Sequence, residues 1–161
     1  MAAKFPCGKV GRQVLEFHPA PFRAPLRAFA SLVFPWQNEN VLICKIEDRG
    51  WCIPSGRVEP YESSLEAAIR EAQEEAGAIL NNVIYIGCYR IRERSEIRWA
   101  DVYAADVIDL VDLDPAFEST DRKFTTLEQL PDIYYLWNPL TEAVFHHSRL
   151  LLNRHAALLY G

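Results

Sequence analysis

The chain has 161 residues, half of them apolar and 24% charged, which suits one domain with its own core and excludes both a disordered chain and two comfortable domains. Its net charge of −5 speaks against indiscriminate nucleic-acid binding, so no stable nucleic-acid partner is expected; a small anionic substrate stays open, because bound cations reverse a local field. No apolar run, Phe29 to Trp36 included, is long enough for a membrane span, and Pro6 and Gly8 interrupt any signal-peptide pattern, so a cytoplasmic protein without a membrane partner is expected.

Cys7, Cys44, Cys52 and Cys88 form no CxxC pair, and the histidines show no metal-site spacing, so zinc is not expected. Residues 1–25 read as an arm punctuated by prolines and glycines, with a short strand over Val10 to Phe17. Leu26 to Phe34 and Asn40 to Ile46 are predicted strands, with a turn over Pro35 to Glu39 between them. A second turn, Glu47 to Gly50, leads into an extended piece that stops at Pro54.

Ser63 to Ala76 is the clearest helix. Ser63 and Glu66 form a capping box, Gly77 stands where a helix ends, and Leu65, Ala68, Ile69, Ala72 and Ala76 repeat at helical spacing. Two strands are predicted over Val83 to Ile91 and Arg98 to Val107, then an acidic loop over Asp109 to Asp121 and a last strand over Lys123 to Leu127. Asn138 and Pro139 open a C-terminal helix, placed at 138–156. Strands, helix, strands and helix in that order favour an α/β domain, a mixed β-sheet covered by helices, over a doubly wound parallel sheet. One domain spanning 1–161 accounts for the whole chain.

On the Ser63–Ala76 helix, Glu75 lies about 40° and Glu74 about −60° from Glu71. The three carboxylates share one edge beside the apolar face. Like charges held that close raise one another's pKa and call for a counter-charge. A divalent cation with oxygen ligands supplies one, and Arg70 supplies another by pairing with a carboxylate.

The stretch Gly56 to Ala78 resembles the Nudix box: a glycine, five residues, a glutamate, seven residues, then Arg-Glu, an aliphatic residue, any residue, Glu-Glu, any residue, glycine and an aliphatic residue. Gly56, Glu62, Arg70, Glu71, Glu74, Glu75 and Gly77 match every fixed identity, and Ala72 and Ala78 fill the aliphatic slots. The resemblance implies an α/β/α sandwich with a loop–helix–loop catalytic motif at 56–78. It also implies that Glu71, Glu74 and Glu75 bind Mg2+, with Mn2+ able to substitute, that Arg70 orients a carboxylate, and that Glu62 supports the loop and helix. The backbone carbonyl of Ser55 would be a further ligand; many members carry a second glycine there, so Ser55 is a departure.

The flanking order Glu47-Asp48-Arg49-Gly50-Trp51 and Tyr85-Ile86-Gly87-Cys88-Tyr89 is similar to MutT-type triphosphatases of Gram-positive bacilli, which implies hydrolysis of an oxidised or normal purine nucleoside triphosphate to a monophosphate and pyrophosphate. Two alternatives stand beside it. One is a hydrolase of ADP-ribose, a dinucleoside polyphosphate or another nucleoside diphosphate derivative. The other is a nucleotide-sensing domain without catalysis, against which the intact carboxylate set argues. Glu118 and Asp121 are candidates for a general base or extra ligand on the late loop, and Arg27, Trp51, Arg57 and Tyr89 for substrate binding. The partner expected is a nucleotide-like small molecule, and a homodimer is compatible with the sequence.

Overall fold

The computed structural model describes residues 4–160. Nine strands form one mixed sheet: β1 (Gly8–Val10), β2 (Gln13–Pro19), β3 (Ala30–Gln37), β4 (Asn40–Ile46), β5 (Gly50–Cys52), β6 (Ser55–Arg57), β7 (Ala78–Glu93), β8 (Glu96–Leu110) and β9 (Ser119–Thr125). The helices are α1 (Ser64–Ala76), the short α2 (Leu130–Ile133) and α3 (Pro139–Tyr160). None of the described helices is long and apolar enough to cross a membrane.

The main path across the sheet runs β1-β2-β7-β8-β3-β4-β5, with β6 on β3 and β9 on β4. β3 and β8 pair in parallel, while β7 and β8 form a long antiparallel hairpin. Each face has its own core. Phe34, Trp36, Ile43, Ile86, Val102 and Phe145 pack on the α3 side, and Val33, Leu42, Cys44, Ala68, Ala72 and Ala76 pack on the α1 side. Trp36 donates its indole N–H to Ser148 Oγ at 2.9 Å, which ties β3 to α3 without leaving the buried donor unpaired.

α1 begins and ends as its sequence requires. The Ser63 hydroxyl accepts from Glu66 N, Glu66 returns a bond to Ser63 N, and Gly77 closes the helix at φ 61°. Its packing face is narrower than the repeat suggests. Ala67, Ala68, Ala72 and Ala76 are buried, whereas Leu65 and Ile69 are exposed. Small side chains let the helix backbone approach the sheet closely, and that approach sets how far its glutamates reach.

Several boundaries differ from expectation. The 1–25 segment is not only an arm: β1 and β2 lie within it, and β2 pairs with β7 from Gln13↔Glu93 to Pro19↔Gly87. β3 runs through Pro35 and Trp36, placed in a turn above, to Gln37. Pro35 falls between the β6 ladder, which ends at Leu32, and the β4 ladder, which starts at Trp36, so no ladder on that side needs its missing N–H. β9 begins at Ser119, so the acidic loop is shorter than expected, and α3 continues to Tyr160, past the expected end at 156.

Candidate active site

The loop through β6 and the exposed edge of α1 meet at a cleft of about 780 Å³. Glu71, Glu74, Glu75, Ser55, Gly56, Arg57, Arg49 and Glu118 line one part of it. Gly56 is the point of closest approach. A Cβ there would lie 2.1 Å from Glu71 Oε1, so only glycine leaves that carboxylate its place.

Arg70 organises the acidic edge. Its Nε and Nη2 donate to the two oxygens of Glu62 at 3.1 and 2.7 Å. Nη1 donates to Glu71 at 2.8 Å and to Glu74 at 3.1 Å, and Nη2 also reaches the Arg57 carbonyl at 3.0 Å. One guanidinium thus ties the box loop to the helix. Glu62 also accepts from the Glu59 N–H at 3.0 Å. The Arg70 bonds, with that amide, hold the Glu62 carboxyl below its usual range.

Glu75 is buried, and its Oε1 accepts from Ser55 N at 2.7 Å. Burial pushes its carboxyl up to about 7, against the lowering effect of that amide and with the help of the Glu71 charge. Glu71 is also raised, first by burial, with Arg70 opposing. Among the described residues no group of three or more carboxylate, imidazole or thiol side chains forms a metal-holding set by itself. The donors on this edge are nonetheless all hard oxygens, and magnesium normally completes its shell with water and substrate phosphate, so the residues fit such a cation as partial ligands.

The remaining expected residues divide. Arg57 and Glu118 face the cleft, with Glu118 3.8 Å from Arg49 Nη2. Arg27 does not line it: its Nη2 donates to the carbonyls of Glu59 and Glu62 at 2.6 and 3.0 Å, which makes it a brace for the box loop. Tyr89 is buried against Phe17 and has no face to offer a ligand. Trp51 packs on the α3-side core under Lys123, outside the cleft lining. Asp121 lies on β9 opposite Lys45 and accepts from Arg122 N, also away from the cleft. Sequence reading missed Arg49, Phe29 and Gln13, all of which line the cleft. It also missed Arg122, whose Nη1 holds the carbonyls of Ala76 and Gly77 at the end of α1.

The NUDIX domain model matches residues 25–147, which includes the entire cleft edge formed by β6 and α1. The chain belongs to the Nudix family. It is 39% identical over 66 residues to Bacillus subtilis YtkD, named as an 8-oxo-dGTP diphosphatase, a stretch covering 41% of this chain and 42% of that protein. It is 43% identical over 49 residues to the asymmetrical bis(5'-nucleosyl)-tetraphosphatase of Sus scrofa, covering 30% of this chain and 33% of the relative. The matches therefore span less than half the length of either protein. Among solved structures, the Bacillus subtilis pyrophosphohydrolase BsRppH superposes with a TM-score of 0.63 at 27% identity, over 70% of this chain and 72% of that one.

Proposed function

We propose that this Nudix protein hydrolyses a phosphoanhydride bond of a nucleoside triphosphate and releases a monophosphate and pyrophosphate. The observation that carries the reading is the cleft edge itself: Glu71, Glu74 and Glu75 stand beside a loop whose Gly56 has no room for a side chain. The likeness to YtkD supports a triphosphate as substrate. The 49-residue match to the tetraphosphatase keeps a dinucleoside polyphosphate as the second reading.

Glu71, Glu74 and Glu75, with the Ser55 carbonyl, would hold Mg2+ or Mn2+. A bound divalent cation supplies an acidified water, charge neutralisation and leaving-group stabilisation. The chain's own residues provide the setting. Arg70 fixes the rotamers of Glu71 and Glu74 through bonds of 2.8 and 3.1 Å. Arg57 and Arg49 place two guanidinium groups at the cleft, where they can meet phosphate oxygens. Glu118, whose side chain is 79% exposed and which lines the cleft, is the residue proposed to take a proton from the attacking water.

The test is a hydrolysis screen of nucleoside triphosphates, ADP-ribose and diadenosine tetraphosphate with magnesium, with products separated. Monophosphate plus pyrophosphate supports the proposal. Activity should vanish in chelator and return with magnesium or manganese, and Glu75→Gln should lose orders of magnitude in rate while staying folded. Full activity in excess chelator would remove the cation from the reading.

A further inference from the structure

Cys44 and Cys52 stand directly opposite one another where β4 pairs with β5, and both are free thiols. Opposed residues of an antiparallel pair point to the same face, with Cα atoms about 4.5–5.5 Å apart. That spacing lies inside the range of about 4.4–6.8 Å that a disulfide requires. Cys44 is buried in the α1-side core, and its S–H donates to the Cys52 carbonyl at 3.4 Å. The thiols also interact with each other. That contact holds Cys52 below the usual thiol range and, together with burial, lifts Cys44 above it.

The two sulfurs differ in access. Cys52 is half-buried, whereas Cys44 is closed off from solvent. A small oxidant therefore meets Cys52 first, with Cys44 in place to resolve the product. The other two cysteines lack this arrangement. Cys88 has His18 and Asp101 as its ladder partners, and Cys7 is exposed outside the strands.

The pair lies close to the acidic edge. Both thiols feel the Glu75 charge, and Cys44 shares its core with Ala72 and Ala76 on the helix that carries Glu75. Only Ile53 and Pro54 separate Cys52 from Ser55, whose N–H donates to Glu75 Oε1 at 2.7 Å. A two-residue link that includes a proline has little slack. Closing a disulfide brings the sulfurs to about 2.05 Å, well inside their non-bonded contact distance. A close-packed interior transmits such a shortening. It draws Cys52 toward β4 and carries the Ser55 amide away from Glu75.

We propose that Cys44 and Cys52 are a reversible oxidation site, closing to a disulfide that slows hydrolysis at the adjoining acidic edge. The loss of rate rests on the hydrolase reading above; the disulfide itself does not. With a hydroperoxide as oxidant, the Cys52 sulfur attacks the terminal oxygen and the O–O bond breaks. The thiol proton goes to the departing oxygen, which leaves as water or an alcohol, and Cys52 becomes a sulfenic acid. The Cys44 sulfur then attacks the Cys52 sulfur. The S–S bond forms, the S–O bond breaks, and the hydroxyl leaves as water with the Cys44 proton. Two electrons pass from the sulfurs to the peroxide, and a dithiol reductant returns them by exchange.

The test treats wild type, Cys52→Ser, Cys44→Ala and Cys7→Ser with hydrogen peroxide, alkylates the remaining thiols and maps non-reduced peptides by mass spectrometry. Hydrolysis is followed on a phosphoanhydride substrate found in the screen above, before oxidation, after it and after dithiothreitol. Wild type and Cys7→Ser should lose two hydrogens and yield a Cys44–Cys52 cross-linked peptide. Their kcat should fall by roughly ten-fold or more, as expected of an ångström-scale displacement beside the reacting groups, and dithiothreitol should restore it. Cys52→Ser should keep the basal rate and ignore peroxide. Cys44→Ala should stop at a Cys52 sulfenic acid, trapped by dimedone. Alkylation of both thiols in peroxide-treated wild type, a disulfide through Cys7 or Cys88, or a cross-linked enzyme with its full rate overturns the inference and leaves the hydrolase reading standing. A wild type that hydrolyses nothing in the screen fails that reading instead. The peptide map and the magnesium-induced rise in melting temperature then decide: a full rise in the cross-linked protein overturns the inference, and a lost one supports it.

Discussion

The Arg70 guanidinium grips the Glu62 carboxylate with two hydrogen bonds, at 2.7 and 3.1 Å, and it spans the eight residues between the box loop and the middle of α1. The same group still reaches Glu71 and Glu74, so the position of the acidic edge depends on the geometry of one side chain. Lysine keeps the charge but cannot offer a planar fork. Arg70→Lys is expected to lower kcat by roughly ten- to a hundred-fold, the worth of one or two charged hydrogen bonds, with a smaller effect on KM. Steady-state kinetics on the folded variant check this, and wild-type kcat would reduce Arg70 to a source of charge.

Gly56→Ala separates activity from stability. The nearest atoms an added Cβ would meet belong to the Glu71 side chain, at 2.1 to 2.8 Å, and that flexible chain can swing away. Swinging away gives up the 2.8 Å hydrogen bond from Arg70, a cost of about 1.5–3 kcal/mol at most, so the variant should stay folded with a modest drop in melting temperature. The rate should fall at least ten-fold in the same protein, because Glu71 has been moved from its place at the cleft. Parallel loss of melting temperature and rate would show that the site is not what the glycine protects.

Much of this site is visible in the sequence because it is local. The capping box, the Gly77 stop and the three glutamates all lie within α1 and its flanks, where spacing alone fixes direction. What the sequence hides is what long-range pairing decides. Charged Arg92, Glu93 and Glu96 conceal the ends of β7 and β8, since the hairpin extends beyond its apolar stretch. Leu65 and Ile69 look like core but flank an alanine face, because hydrophobicity does not report how closely a helix approaches its sheet. Tyr89 and Trp51 resemble ligand aromatics until their strands place them in a core, and Gln13 has no distinguishing pattern until β2 is set beside β7.

The buried Glu75 carboxyl gives a pH signature to the protein freed of divalent cations. Its pKa is raised from 4.5 to about 7 in the folded state, chiefly by burial. A raised carboxyl stabilises the fold fully below its unfolded pKa and loses that contribution as pH rises through the folded value. The window is therefore about pH 4.5 to 7, and the loss is on the order of a few kcal/mol at most. Glu71 shifts in the same direction, whereas the lowered Glu62 adds stability above its ordinary pKa that is lost only on acidification. In chelator the melting temperature should fall between about pH 4.5 and 7, and Glu75→Gln should flatten much of that slope. Magnesium should oppose the fall, because it binds the charged form. A Glu75→Gln variant with the wild-type slope would assign the effect to other groups.

The bond that breaks can be located with oxygen-18 water. If the proposed chemistry holds, one water attacks one phosphorus, so a single turnover labels one product and not both. Attack at the β phosphorus puts the label in pyrophosphate and expels the monophosphate; attack at the α phosphorus does the reverse. The MutT-type resemblance favours the β position, with the β and γ phosphates beside Glu71, Glu74 and Glu75 at the cleft. Mass spectrometry of the products should therefore find the label in pyrophosphate. Label in the monophosphate would place the α phosphorus, not the β, at the acidic edge. Orthophosphate without pyrophosphate would refute the proposed triphosphate cleavage and leave the family membership intact.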